Sequence, residues 1–149
     1  MFRTTGALVA AALGASILIT PSPASATSDW VWKCYGTQVK RCATVVWDQT
    51  ADTFRARAKI TDVAGGGSYQ VKVTNVKLLR TNRSDYVTVR SAKDYDGWHD
   101  TEDSAATVTV DPCSFPGESF TVVATFSWKG ASSGEKTWRP NQAWGHLCD

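Results

Sequence analysis

The sequence predicts an all-β domain: a single antiparallel β-sandwich of about seven or eight strands, with a small β-barrel as the alternative closure. Three observations predict it. Side chains in a strand alternate faces with a period of two. Residues 54–61 alternate Phe54, Ala56, Ala58 and Ile60 with Arg55, Arg57, Lys59 and Thr61. Such alternation belongs to a sheet packed on one side and solvated on the other, which is the habit of antiparallel sheets. Residues 120–129 read F-T-V-V-A-T-F-S-W-K. They place Phe120, Val122, Ala124, Phe126 and Trp128 on one face, with neither Gly nor Pro to interrupt a β-branched and aromatic run, and predict a central strand. Finally, no segment of ten or more residues carries an apolar repeat of 3.6 residues, so helices are not expected.

Taken in order, residues 1–26 read as a secretory signal peptide. Arg3 gives a positive n-region, residues 6–20 are uncharged and apolar, Pro21 and Pro23 end the run, and Ala24-Ser25-Ala26 is a small-x-small cleavage site. The apolar run of 15 residues is short of the roughly 20 that span a bilayer. Cleavage leaves residues 27–149 as a single disulfide-bonded β domain, 123 of the 149 residues, enough to bury its own core.

Residues 30–35 predict a first strand with Trp30, Trp32 and Cys34 on one face, and residues 39–48 a second. Residues 49–52 turn the chain into the third strand at 54–61. Gly65, Gly66 and Gly67 are followed by a strand pattern and not by a helix, so they form a turn and not a phosphate cradle. Residues 69–80 carry two alternations out of phase, Tyr69, Val71 and Val73 against Val76, Leu78 and Arg80. The slip predicts a β-bulge near Asn75. Asn82-Arg83-Ser84 is a glycosylation acceptor motif. A short fifth strand is expected at 86–90, an acidic loop at 94–103 and a sixth strand at 105–110, stopped by Asp111-Pro112. After the central strand, residues 130–134 form a Gly/Ser loop to a last extended piece near 137–139, edged by Pro140. The Cys-Trp-Cys spacing of an immunoglobulin domain is absent.

Residues 27–149 hold 15 Lys and Arg against 14 Asp and Glu, so net charge selects no partner class and gives no sign of nucleic-acid binding. The distribution is uneven: 12 basic and 4 acidic residues between positions 33 and 93, then 3 basic and 9 acidic from position 94 onward. All four cysteines (Cys34, Cys42, Cys113, Cys148) fall after the signal peptide, and an even count in an exported chain reads as disulfides. Of three pairings, Cys34–Cys42 and Cys113–Cys148 are favoured. The first brackets the turn Tyr35-Gly36-Thr37-Gln38, and the second ties the approach to the central strand to the C-terminus. A zinc site built from Cys34, Cys42, His99 or His146 is disfavoured, because seven residues separate the cysteines where zinc sites use two to four.

Three features stand out as candidate sites. The first is the acidic loop with Asp94, Asp96, Gly97, Trp98, His99, Asp100, Glu102 and Asp103. Its carboxylates are the right chemistry for calcium, but neither the spacing nor the flanks are those of an EF-hand, and the expectation is a solvated loop with no cofactor. The second is the tryptophan content of seven. Trp47 and Trp128 lie in apolar strands and are expected in the core. Trp98, Trp138 and Trp144 lie beside polar loops, where an exposed indole makes a binding platform. The third is a basic face of Arg55, Arg57 and Lys59, joined by Lys72, Lys77 or Arg90, which could meet an anionic polymer such as a teichoic acid-like or nucleic-acid backbone but is favoured as a device for solubility that guards the sheet against edge pairing. Catalysis draws little support: His99 and His146 are the only histidines, and no G-x-S-x-G elbow occurs.

The segments I-T-D-V-A-G-G-G-S-Y-Q-V-K-V at 60–73, Y-D-G-W-H at 95–99 and D-P-C at 111–113 give the chain a layout that resembles small secreted two-disulfide bacterial proteins of unassigned activity. The resemblance implies no catalytic residue. The reading reached from the sequence is a secreted, monomeric, non-catalytic binding protein for an extracellular polymer or protein. Its expected site is Trp98 and His99 with Asp94, Asp96 and Asp100, and it has no membrane partner after signal cleavage. The alternatives are a secreted inhibitor or toxin-like effector acting through 130–134 and, more remotely, a small hydrolase.

Overall fold

The chain alternates strand and turn from Lys33 to Gly145. A computed structural model describes residues 31–64, 67–145 and 148. The predicted signal peptide, Trp30 and His146 lie outside the described residues. Among the described residues the strands are β1 (Lys33–Tyr35), β2 (Val39–Asp48), β3 (Thr53–Asp62), β4 (Tyr69–Asn82), β5 (Asp85–Lys93), β6 (Glu102–Ala106), β7 (Ser119–Gly130), β8 (Gly134–Trp138) and β9 (Trp144–Gly145). A 3-10 turn at Pro112–Ser114 is capped by Asp111, whose carboxylate accepts the Cys113 amide. No described helix is long and apolar enough to cross a membrane.

The strands form two antiparallel sheets. One runs β1-β2-β3-β6. The other runs β5-β4-β7-β8, with β9 also beside β7. Neither closes on itself, so the sandwich holds and the barrel does not. The expected central strand is interior: β7 pairs with β4 from Ser119 to Gly130 and with β8 and β9 on its other edge.

The period-two pattern explains which faces meet. Ala43 and Val45 of β2 and Phe54, Ala56, Ala58 and Ile60 of β3 face Val71, Val73, Val76 and Leu78 of β4 and Phe120, Val122, Ala124 and Phe126 of β7, all buried in one cluster. Small alanines on the first sheet leave room for larger side chains on the second. Phe54 and Phe120 stack at 5.2 Å between centroids, flanked by Trp47 at 6.2 Å from Phe54 and Phe115 at 6.1 Å from Phe120. The phase slip in β4 is a bulge: pairing to β7 passes from Val73 to Asn75, skipping Thr74. Arg80, in the inward phase, sits at the core's rim, where it pairs with Glu118 and covers Phe115.

Both favoured disulfides are present, Cys34–Cys42 across the β1–β2 pair and Cys113–Cys148. Several boundaries differ from expectation. The fifth strand runs from Asp85 to Lys93, because β4 continues to offer it a partner to Asn75. The sixth strand is Glu102–Ala106, so Glu102 and Asp103 leave the acidic loop for the sheet. Val110 makes only an isolated bridge to Phe54. Trp47 and Trp128 are half-buried against the core, not inside it. The basic face is also divided. Arg55, Arg57 and Lys59 belong to the first sheet, and Lys72, Lys77 and Arg90 to the second, so the two groups cannot form one stripe.

Phe120 is fully buried and touches two other rings. Phe120→Ala is expected to cost about 3–5 kcal/mol, read as a lower midpoint in urea denaturation at unchanged slope.

Candidate functional site: the loop laced to β4

β5 pairs with β4 only as far as Asn75. Residues 69–74 of β4 therefore have a neighbour, β7, on one edge and no full strand on the other. Alternate N–H groups of an antiparallel strand point to each edge, and a buried amide without an acceptor costs free energy. Three groups close the gap. Tyr69 N donates to Asp62 Oδ2 at 3.0 Å, Val71 N donates to the His99 carbonyl at 2.8 Å, and Val73 N donates to Asp103 Oδ2 at 2.6 Å. His99 N returns a bond to the Val71 carbonyl at 3.0 Å, and Asp94 N donates to the Thr74 carbonyl at 3.0 Å. The 94–101 segment is thus fastened at both ends and in the middle.

Asp94 shapes the loop from within. Its Oδ1 accepts Gly97 N at 2.9 Å and Asp96 N at 3.2 Å, and its Oδ2 meets Lys72 Nζ at 3.2 Å. The Gly97 amide is the first cause of a lowered Asp94 pKa, and Lys72 adds to it against the effect of burial. Gly97 has φ +85°, the left-handed conformation this turn needs. Asp100 Oδ1 accepts Gln70 Nε2 at 2.9 Å.

Trp98 emerges from the laced segment, 37% exposed. Lys129 Nζ lies 4.4 Å and Lys72 Nζ 5.1 Å from its ring centroid, within cation–π range. Tyr95, three residues earlier, is 88% exposed. Trp138 and Trp144, the other loop-side tryptophans, pack on the core instead.

Of the five predicted site residues, Asp96 and His99 converge, and the third member of their group is Asp103. His99 Nε2 lies 3.2 Å from Asp96 Oδ1 and 3.8 Å from Asp103 Oδ1. Nε2 is enclosed and makes no well-directed hydrogen bond. The Asp96 carboxylate is the first cause of a raised His99 pKa. Burial works against it, and the charges of Asp103, Asp96 and Asp94 reinforce it. One ligand atom from each of the three residues falls within 4.8 Å of the others. A nitrogen beside two carboxylate oxygens is the donor set of a transition-metal site; calcium takes six to eight oxygens. Asp94, Asp100 and Glu102 are turned to other partners, Glu102 to Lys59 and Thr61, so the five carboxylates do not gather into an oxygen cage.

Asp103, named in the acidic loop but not in the expected five-residue site, completes it with Lys72 and Lys129, which the sequence did not connect to the loop. The outward phase of Lys72 and Lys129 was readable, but their meeting at one indole depends on the pairing of Gln70 with Lys129. His146 lies outside the described residues, and the 130–134 segment is the tight turn between β7 and β8. No protein-family model matches this sequence, and no curated protein matches it.

Two outcomes are expected. Asp103→Ala leaves the Val73 amide without its acceptor and should cost about 1–3 kcal/mol in urea denaturation, while Asp103→Asn recovers most of it. For His99, the folded pKa lies above its ordinary 6.5. Its stabilisation is therefore complete below that pH and is lost as pH rises through the folded value. Melting temperatures measured from about pH 6 to 9 should fall more in the wild type than in His99→Gln.

Proposed function

We propose that this protein is a secreted, monomeric, non-catalytic binding protein whose site is the 94–103 loop, and that its ligand is an extracellular polymer, a glycan in the first instance. One observation carries the reading. Trp98 is partly exposed, and the segment that bears it is laced to β4 by His99, Asp94 and Asp103. An indole already fixed in place loses little freedom on binding. Its flat apolar face suits the apolar side of a sugar ring, and its polar edge tolerates water. Lys129 beside the ring, with no ion pair to a described carboxylate, favours chains that carry negative charge.

Export rests on the signal-peptide pattern of residues 1–26 and is supported by two disulfides, which persist in oxidising compartments. The same features support a place among small secreted two-disulfide bacterial proteins. The absence of catalysis is part of the proposal. His99 is engaged with two carboxylates, and no serine or cysteine is paired with it as a nucleophile among the described residues.

On an array of cell-wall and extracellular glycans, native protein should be retained by at least one polymer, and Trp98→Ala should be retained about tenfold or more weakly. Equal retention of the two proteins would refute the assignment of the site.

A further inference from the structure

Arg41 is an inward-facing cation. In β2 it shares its phase with Val39, Ala43 and Val45, and it pairs across to Ile60 of β3. It therefore enters the space between the sheets. Tyr35, its partner on β1, lies with the ring centroid 4.3 Å from the guanidinium carbon, and Trp128 of the opposite sheet lies at 4.6 Å. Trp138 closes the group edge-on to Tyr35 at 4.6 Å. No ion pair or hydrogen bond to Arg41 occurs among the described residues. Its Nε and the Tyr35 hydroxyl are both enclosed and unpartnered.

That arrangement compensates the faces of the guanidinium and leaves its edge bare. Aromatic rings meet a cation through their π faces, but the five N–H donors of Arg lie in its plane and call for oxygen acceptors. Arg41 is half-buried, and its enclosed Nε–H has no such acceptor, which costs free energy. The β1–β2 turn packs closely beside this side chain. Gly36 has φ +97°, and a Cβ there would stand 2.2 Å from the Val39 carbonyl oxygen and 2.6 Å from Arg41 Nη2. Gly134 likewise admits the Trp128 indole, which would stand 2.4 Å from a Cβ.

The guanidinium borders a cleft of about 250 Å³ lined by Gly36, Thr37, Gln38, Tyr69, Trp128 and Ser132, with Val39 behind them. No carboxylate lines it. Its walls are one cation, hydroxyls, an amide and an indole, which is the surface a small oxyanion on a polyhydroxylated ring would meet. We propose that this cleft is a second binding site, specific for a carboxylate carried on a single sugar residue, with Arg41 as its charged anchor and Trp128 as the wall against the ring. It does not depend on the Trp98 loop. Trp128 and Lys129 are adjacent in β7 and point to opposite faces, so the two sites lie on opposite sides of one sheet.

The test is ¹⁵N NMR of the full disulfide-bonded protein titrated with glucuronate, glucose, acetate and inorganic phosphate. Glucuronate should shift the Arg41 Nε–H and the Trp128 indole N–H saturably. Glucose should shift neither, and acetate should act on Arg41 about tenfold more weakly or less. Arg41→Met should abolish the response, and Ser132→Ala at the rim should weaken it while preserving the fold. If Arg41→Met does not fold, the wild-type titration and Ser132→Ala still decide. No saturable shift with glucuronate overturns the proposal, as does an equal response in Arg41→Met. Equal affinity for phosphate overturns the carboxylate assignment, and equal affinity for glucose or acetate overturns the sugar-acid assignment.

Discussion

The amides of residues 69–74 of β4 must be satisfied where β5 no longer reaches, and much of the molecule is arranged by that need. Asp62 comes from the end of β3, Asp103 from β6 and the carbonyl of His99 from the connection between β5 and β6. Both carboxylates belong to the sheet opposite β4. Each bond to a β4 amide therefore also joins the two layers, in addition to the apolar contact between them. Asp62 and Asp103 are buried, and a charged acceptor on an amide is stronger than a neutral one. The segment that crosses from one sheet to the other is bonded at Asp94, His99 and Thr101, which is how an eight-residue loop holds an indole in place.

The space between the sheets is not uniform. At one end Trp47, Phe54, Phe120 and Phe115 form an aromatic series. In the middle, alanines of β2 and β3 face branched side chains of β4 and β7. At the other end, where β1 and β8 are the outer strands, the filling is Tyr35, Arg41, Trp128 and Trp138. An inward charge near exposed strand edges opposes pairing with another chain. The same residues thus close the open side of the sandwich and leave a polar cleft at its rim.

The sequence made the faces legible and the neighbours illegible. Alternation alone located Phe54, Ala56, Ala58 and Ile60, and the change of phase between Val73 and Val76 located the bulge, because side-chain direction in a strand is a local property. The Cys34–Cys42 bridge followed from the turn it encloses. What pairs with what is not local. Asp103 read as one more solvated acid of a loop, yet it is buried because β6 begins at Glu102 and aims it at Val73. Arg41 sat in the inward phase of β2 and carried a charge, a conflict between pattern and chemistry that marks a special position. Lys72 and Lys77 read as companions of Arg55 and Arg57 until the sheet order placed them on the other layer.

The Cys113–Cys148 bridge spans 35 residues of chain and encloses β7, β8 and β9. β7 is held by β4 along its whole length, while the turn from β7 to β8 is exposed. A protease that nicks this turn releases nothing: the two halves of the cut loop stay covalently joined through sulfur, and the separated strands keep their partners close at hand for re-pairing. In surroundings rich in peptidases, the molecule would carry such a break as a scar and not as a loss.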